Sequence, residues 1–146
     1  MSKKLRIWLP DDWVNISDRN SDGPLTMCWD DAAAQGAFQI STAEYTGGKE
    51  PHSSEPELVQ SAVTFGERHR WGKLARSSSG KCVMGLFGTA VFNRTETMPP
   101  DEPAVSQVWF ITNGLDFVLA TFIAMEVPEE REYRDAQRIA EGVDFR

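Results

Sequence analysis

The stretch Val105-Ser106-Gln107-Val108-Trp109-Phe110-Ile111-Thr112-Asn113-Gly114-Leu115-Asp116-Phe117-Val118-Leu119-Ala120-Thr121-Phe122-Ile123 decides the fold. Two apolar runs flank Asn113-Gly114. Asn-Gly tolerates positive φ at both centre positions of a tight turn, so the pattern predicts a β-hairpin. The second arm, Phe117–Ile123, is apolar at nearly every residue. A strand with one wet face alternates, so this arm is expected inside a sheet, covered on both faces.

Helices on either side can supply that cover. Ser54 with Glu57 makes a capping box for a helix from Glu55 to about His69, and Pro56 suits its first turn. Leu58, Val59, Ala62, Val63 and Gly66 form its apolar stripe. Arg68 and Arg70 suit its negative end. A second helix is expected over Glu129–Glu141, opened by Pro128 and ended by Gly142, with Tyr133, Ala136, Ile139 and Ala140 facing inward. Glu130 and Arg134 pair four residues apart. Val143–Phe145 then returns as an edge segment.

Other strands are expected at Leu5–Leu9, Trp13–Ser17, Thr26–Trp29 and Ala37–Ala43. The last alternates Phe38, Ile40 and Thr42 against Gln39, Ser41 and Ala43. An Asp22-Gly23-Pro24 turn precedes Thr26. Leu74–Ser78 and Cys82–Phe92 read as strands joined by a Ser79-Gly80-Lys81 turn. Gly85 and Gly88 mark a bulge or the close approach of another backbone. The order is strands, helix, four or so strands, helix. That predicts an α+β chain: an α/β/α sandwich with a central, mainly antiparallel sheet and a helix on each face.

The chain has 146 residues and a net charge of −7, with 40% hydrophobic and 25% charged residues. One domain over residues 1–146 is expected. The balance argues against a disordered tail, a fibre or a disulfide-framed mini-protein. It also argues against nucleic-acid binding and anionic membrane surfaces, which need clustered cations. The charge is even along the chain, −3 over residues 1–73 and −4 over 74–146. It therefore belongs to the folded surface rather than to a tail.

The apolar run Ile7–Leu9 falls short of the roughly 7–15 residues of a signal-peptide core. No run approaches the roughly 20 residues that span a bilayer. A cytoplasmic protein without membrane insertion is expected. Cys28 and Cys82 lie in strand-like runs and read as buried free thiols, with a disulfide the lesser alternative. The sequons at Asn15 and Asn93 carry no weight without export.

Three segments together resemble the Mog1/PsbP-like family. They are Leu9-Pro10-Asp11-Asp12-Trp13 near the start, Gly36-Ala37-Phe38-Gln39-Ile40-Ser41 in a strand, and Phe117–Ile123 leading through Pro128 into a helix that closes at Val143-Asp144-Phe145. The resemblance spans nearly the whole chain and implies the same α/β/α sandwich. Its members include photosystem extrinsic subunits, regulators of small GTPases and chaperones for secreted effectors. Their functions differ, so function has to come from a site. No residue role is carried over.

Chemical motifs are few. Gly80-Lys81-Cys82 resembles the end of a phosphate loop, but position 75 is Ala75 and a strand follows. Neither cysteine makes a persuasive nucleophile with His52 or His69. The two histidines lack metal-ligand spacing. Asp11, Asp12, Asp18 and Asp22 do not fit an EF-hand. No catalytic residue, cofactor or metal is expected. One basic segment departs from the acidic background: Arg68, His69, Arg70, Lys73, Arg76 and Lys81 around Trp71. It could receive an anionic group, or simply be a solvated helix end. Trp8, Trp13, Trp29 and Trp109 read as core, and Trp71 as the tryptophan best placed for an interface.

The expected function is a small acidic protein-binding module: an immunity protein that neutralises a toxin, or an adaptor for a secreted effector. Its protein partner would be basic, and the candidate contacts are Trp71, Arg68, Arg70, Lys73, Asp30, Asp31 and Glu44. The alternative is a small-ligand binder or enzyme with a pocket beside the sheet. There Asp30, Asp31 and Glu44 would act as acid/base groups, and Arg70 or Lys73 would hold an anion. A self-associating structural subunit is the third reading. The oligomeric state is left open.

Overall fold

Alternating apolar residues at Phe38 and Ile40, at Val108 to Ile111, and at Val118 to Ala124 give strands with two inward faces. Helices close over both. A computed structural model describes residues 5–17, 25–44, 54–114 and 116–145. The expected Asp22-Gly23-Pro24 turn, Asp18, His52 and the side chain of Glu44 lie outside the described residues.

In chain order the elements are β1 (Leu5–Arg6), β2 (Trp13–Asn15), β3 (Leu25–Trp29), β4 (Gly36–Glu44), α1 (Glu55–Arg68), β5 (Lys73–Lys81), β6 (Leu86–Asn93), β7 (Val105–Thr112), β8 (Asp116–Ala124), α2 (Glu130–Gly142) and β9 (Asp144–Phe145). Seven strands form one antiparallel sheet in the order β2-β3-β4-β8-β7-β6-β5, and β1 pairs with β9 apart from it. On one face Ala136, Ile139 and Ala140 of α2 join a core with Phe38, Trp109 and Phe122. On the other, Ala62 of α1 packs with Ala90, Phe92 and Val108. The α/β/α sandwich expected from the sequence is the fold observed.

The capping box forms: Ser54 Oγ accepts from Glu57 N, and Glu57 reaches back to Ser54 N. The close approach expected at Gly88 is also present. A Cβ there would lie 2.4 Å from the backbone of Leu58 and Val59, so α1 rests directly on β6.

Several details differ. Between β7 and β8, Gly114 has φ 95° but Asn113 does not take positive φ. Asn113 works through its side chain instead, accepting from Asp116 N at 2.6 Å. The β5–β6 turn is not Ser79-Gly80-Lys81, which continues β5. It falls at Cys82–Gly85, where Cys82 and Gly85 exchange backbone hydrogen bonds. Along β8, Val118, Ala120, Phe122 and Ala124 are buried, but Phe117, Leu119, Thr121 and Ile123 are only half-buried. A helix about 10 Å wide spans two or three strands spaced about 4.8 Å apart. The single helix α1 lies over β5, β6 and β7, so β8 is not fully covered on that side. The strand starting at Leu5 is only two residues long. Trp8 is 48% exposed rather than core. Both cysteines are free and half-buried rather than fully buried.

Candidate functional site: the β5 edge and the cleft beside it

β5 is the outermost strand of the sheet. Its sequence, Lys-Leu-Ala-Arg-Ser-Ser-Ser-Gly-Lys, lacks the bulky β-branched residues that a second layer would cover. Eight of its nine residues are exposed, Gly80 being the exception. Pairing with β6 satisfies only one side of its backbone, so the other row of N–H and C=O groups faces outward. The opposite edge, β2, has only three residues. A bulge between Leu74 and Arg76 turns Arg76 and Ser78 toward the α2 side.

There, β5, β6 and α2 enclose a cleft of about 560 Å³. Its floor is polar. Gln107 and Thr89 are buried, and Gln107 Nε2 donates to Thr89 Oγ1 at 3.0 Å. Thr89 Oγ1 donates in turn to the carbonyl of Val108 at 2.7 Å. Gln137 of α2 accepts from Trp109 Nε1 at 2.9 Å and from Gln107 Nε2 at 3.4 Å. On the wall, the Arg76 guanidinium lies over the Tyr133 ring at 5.5 Å. Burial pushes the Tyr133 phenol up from its usual pKa, nearby Arg76 opposes that, and Glu132 adds to it. Arg134 faces the same cleft and is 3.9 Å from Glu130, both being largely exposed.

α2 is held in place by buried carboxylates. Glu132 is fully buried and accepts from Gln35 N at 2.9 and 3.1 Å and from Gly36 N at 3.0 Å. Desolvation raises its pKa, the two backbone donors oppose the rise, and Glu129 adds to it. Asp135 accepts from Trp13 Nε1 at 3.0 Å. Asp12 accepts from Trp29 Nε1 at 3.1 Å and pairs with Arg131. The Asp12-Trp13 segment thus strapped to α2 is structural.

Only part of the basic segment gathers at one corner, since Arg76 enters the cleft and Lys81 ends β5 at its far end. Arg68 ends α1, and Arg70, at φ 54°, turns the chain into β5, where Lys73 is the first residue; all three are exposed. Trp71 is half-buried, with its ring edge against Phe65 and Phe92, centroids 5.3 and 5.9 Å away. Trp8, not Trp71, is the more open tryptophan.

The expected acid/base set is not brought together. Asp30 and Asp31 are exposed in the turn after β3, where Asp31 caps Ala33 N at 2.8 Å. Glu44 ends the nine-residue β4, about 27 Å along that strand from Gly36. Lys73 starts β5, five strand spacings or about 24 Å from β3. Burial raises the Cys82 thiol, with Glu141 and Asp144 adding to the rise against two backbone hydrogen bonds, so it is no ready thiolate. Among the described residues no cluster of three His, Cys, Asp or Glu side chains could hold a metal. No described helix is long and apolar enough to cross a membrane.

Sequence reasoning missed Thr89, Gln107 and Gln137. A signal existed: Gln107 shares parity with Val105, Trp109 and Ile111, so it is the amide on an otherwise apolar inward row.

No protein-family model matches the chain, and no curated protein matches it. Solved structures do. LpqN of Mycobacterium tuberculosis, involved in cell envelope biogenesis, superposes with TM-score 0.58 at 13% identity, over 99% of this chain and 84% of that one. Cyanobacterial PsbP (CyanoP) from Synechocystis sp. PCC 6803 superposes with TM-score 0.53 at 8% identity, over 97% of this chain and 92% of that one. A protein of Bacteroides thetaiotaomicron gives TM-score 0.49 at 12% identity, over 97% of this chain, which spans 45% of its length. The fold is therefore Mog1/PsbP-like.

Proposed function

We propose that the protein is a protein-binding module that takes its partner along β5, as an added strand. One observation carries this reading: a nine-residue edge strand, exposed almost throughout, with a row of backbone hydrogen-bonding groups unmatched among the described residues. Strand addition uses such an edge for affinity and the flanking side chains for selection. Lys73, Arg76 and Lys81 place three cations along it. They repel a second copy of the same strand and select a segment carrying Asp or Glu. The net charge of −7 meanwhile steers a partner that is basic overall. A toxin to be neutralised and an effector to be escorted both suit such a surface, in a cytoplasmic setting.

The test is a photo-crosslinking residue at Ser78, compared with one at Gln60 on the outer side of α1, in the native host. The expected result is a stoichiometric product from Ser78 alone, mapping to an extended acidic segment of the partner. That segment as a synthetic peptide should protect β5 amides from hydrogen exchange. Products from Gln60 alone, or a peptide that leaves β5 exchange unchanged, would overturn the reading.

A further inference from the structure

The cleft beside β5 holds two amide groups whose hydrogen bonding is incomplete. Gln107 spends both bonds of its Nε2 on Thr89 and Gln137, and its Oε1 accepts from no described group. Gln137 accepts twice through Oε1, and its Nε2 donates to no described group. Every fully buried side-chain nitrogen or oxygen among the described residues has a partner. These two atoms are therefore not fully buried, and both residues line the cleft.

Packing accounts for Gln137, whose Oε1 takes the N–H of the buried Trp109, but it does not ask for an amide at Gln107. The neighbours on this face of the sheet, Phe87, Val91, Trp109 and Ile111, are apolar and buried. Leu or Met in place of Gln107 would bury comparable volume without a polar group to desolvate. The amide instead presents an acceptor, with the Gln137 donors beside it. Arg76 and Arg134 add two guanidinium groups at the rim. The Glu130 contact to Arg134 is long and solvated, so it yields readily. Guanidinium and amide N–H groups match the two oxygens of a carboxylate. The Gln107 oxygen needs a donor next to that carboxylate.

We infer that this cleft binds a small organic carboxylate bearing a hydroxyl or amino group beside the carboxylate. Its volume lies within the range of small-molecule sites. This goes beyond strand addition on β5 and stands or falls independently of it.

The test is a ¹⁵N NMR titration of the full chain with L-malate, following the side-chain amides of Gln107 and Gln137 and the Nε–H groups of Arg76 and Arg134. Saturable shifts in these four signals are expected. Succinate, which lacks the hydroxyl, should bind more weakly. Arg76→Ala with Arg134→Ala should lower malate affinity about tenfold or more, as expected for lost charge-assisted bonds. Gln107→Leu, which suits the core, should abolish the preference for malate over succinate while keeping the folded spectrum. Absence of saturable shifts overturns the inference, as does unchanged affinity in the double variant. Inorganic phosphate binding as well as malate would mean an adventitious anion only. Tighter binding of a glutamyl peptide blocked at both ends would assign the cleft to a partner's side chain and overturn the free ligand.

Discussion

The two faces of the sheet are covered in opposite ways. α1 sits on β6 through small residues: Gly88 lies under the backbone of Leu58 and Val59, Gly66 meets the Phe92 ring, and Ala62 and Ala90 fill the seam. α2 keeps an apolar seam at Ala136, Ile139 and Ala140, but it also carries Glu132, Asp135 and Gln137 inward to fixed hydrogen-bonding partners. Contact by shape tolerates no added atom. Contact by hydrogen bonding is costly to break where a partner is left buried and unpaired. Each face keeps a cleft beside its helix, but the one beside α2 has a polar floor, whereas the one beside α1 lies against Phe65 and Phe110.

The largest effect should come from the apolar seam. Gly88→Ala puts a methyl group into the α1 backbone, where no side chain can yield, and should cost about 3 kcal/mol, at the upper end for overpacking. Urea unfolding measures it, and Gly66→Ala, which meets the buried Phe92 ring instead of backbone, should cost a similar amount.

Next is Glu132→Ala, which strips two backbone donors of their acceptor and should cost about 2 kcal/mol. Glu132→Gln keeps one acceptor and should cost about half as much. This pair also separates a pH effect. Burial raises the folded-state pKa of Glu132 above its unfolded value, so the folded state holds the proton more tightly. Its contribution is therefore fully present below the unfolded pKa and declines as pH rises through the folded pKa. Stability measured from mildly acidic pH to neutrality should fall more steeply for the wild type than for Glu132→Gln.

Trp13→Phe keeps most of the buried ring and loses the bond to Asp135. It should cost about 1 kcal/mol, read from the thermal midpoint. The smallest effect should be Arg131→Ala, about 0.5 kcal/mol, because its side chain is mostly solvated despite contacts to Asp12 and Trp29. A cost as large as that of Glu132→Ala would show that the strap, not the buried carboxylate, holds α2.

Much of this architecture is legible in the sequence. Ser54 and Glu57 announced the start of α1, the period-two pattern of Phe38 and Ile40 announced β4, and Gly88 announced a close backbone contact. The misreadings share a cause. Ser79-Gly80-Lys81 has the composition of a turn, but pairing with β6 extends β5 through it. Trp8 has the composition of core, but β1 ends at Arg6 and leaves its ring beside Arg138 at the surface. Local composition reports what a segment prefers, and tertiary pairing overrides it wherever the preference is weak.

The candidate site was less legible for a related reason. Asp30, Asp31, Glu44, Arg70 and Lys73 had suitable chemistry, yet the strand order spreads them across the width and length of the sheet. Gln107 and Gln137, thirty residues apart, meet across a helix–sheet seam that no local pattern describes.

The sequence by itself determined the main element types, the α/β/α layering and the net charge of −7, because periodicity, capping and charge are properties of neighbouring residues. Only the tertiary structure decided that Glu132 reaches Gln35 and Gly36 across 97 and 96 positions, that Trp13 meets Asp135 across 122, and that β5 is left at the edge beside an open cleft. Periodicity places a side chain on a face, but its partner on that face depends on strand order and helix position, which the whole chain settles together.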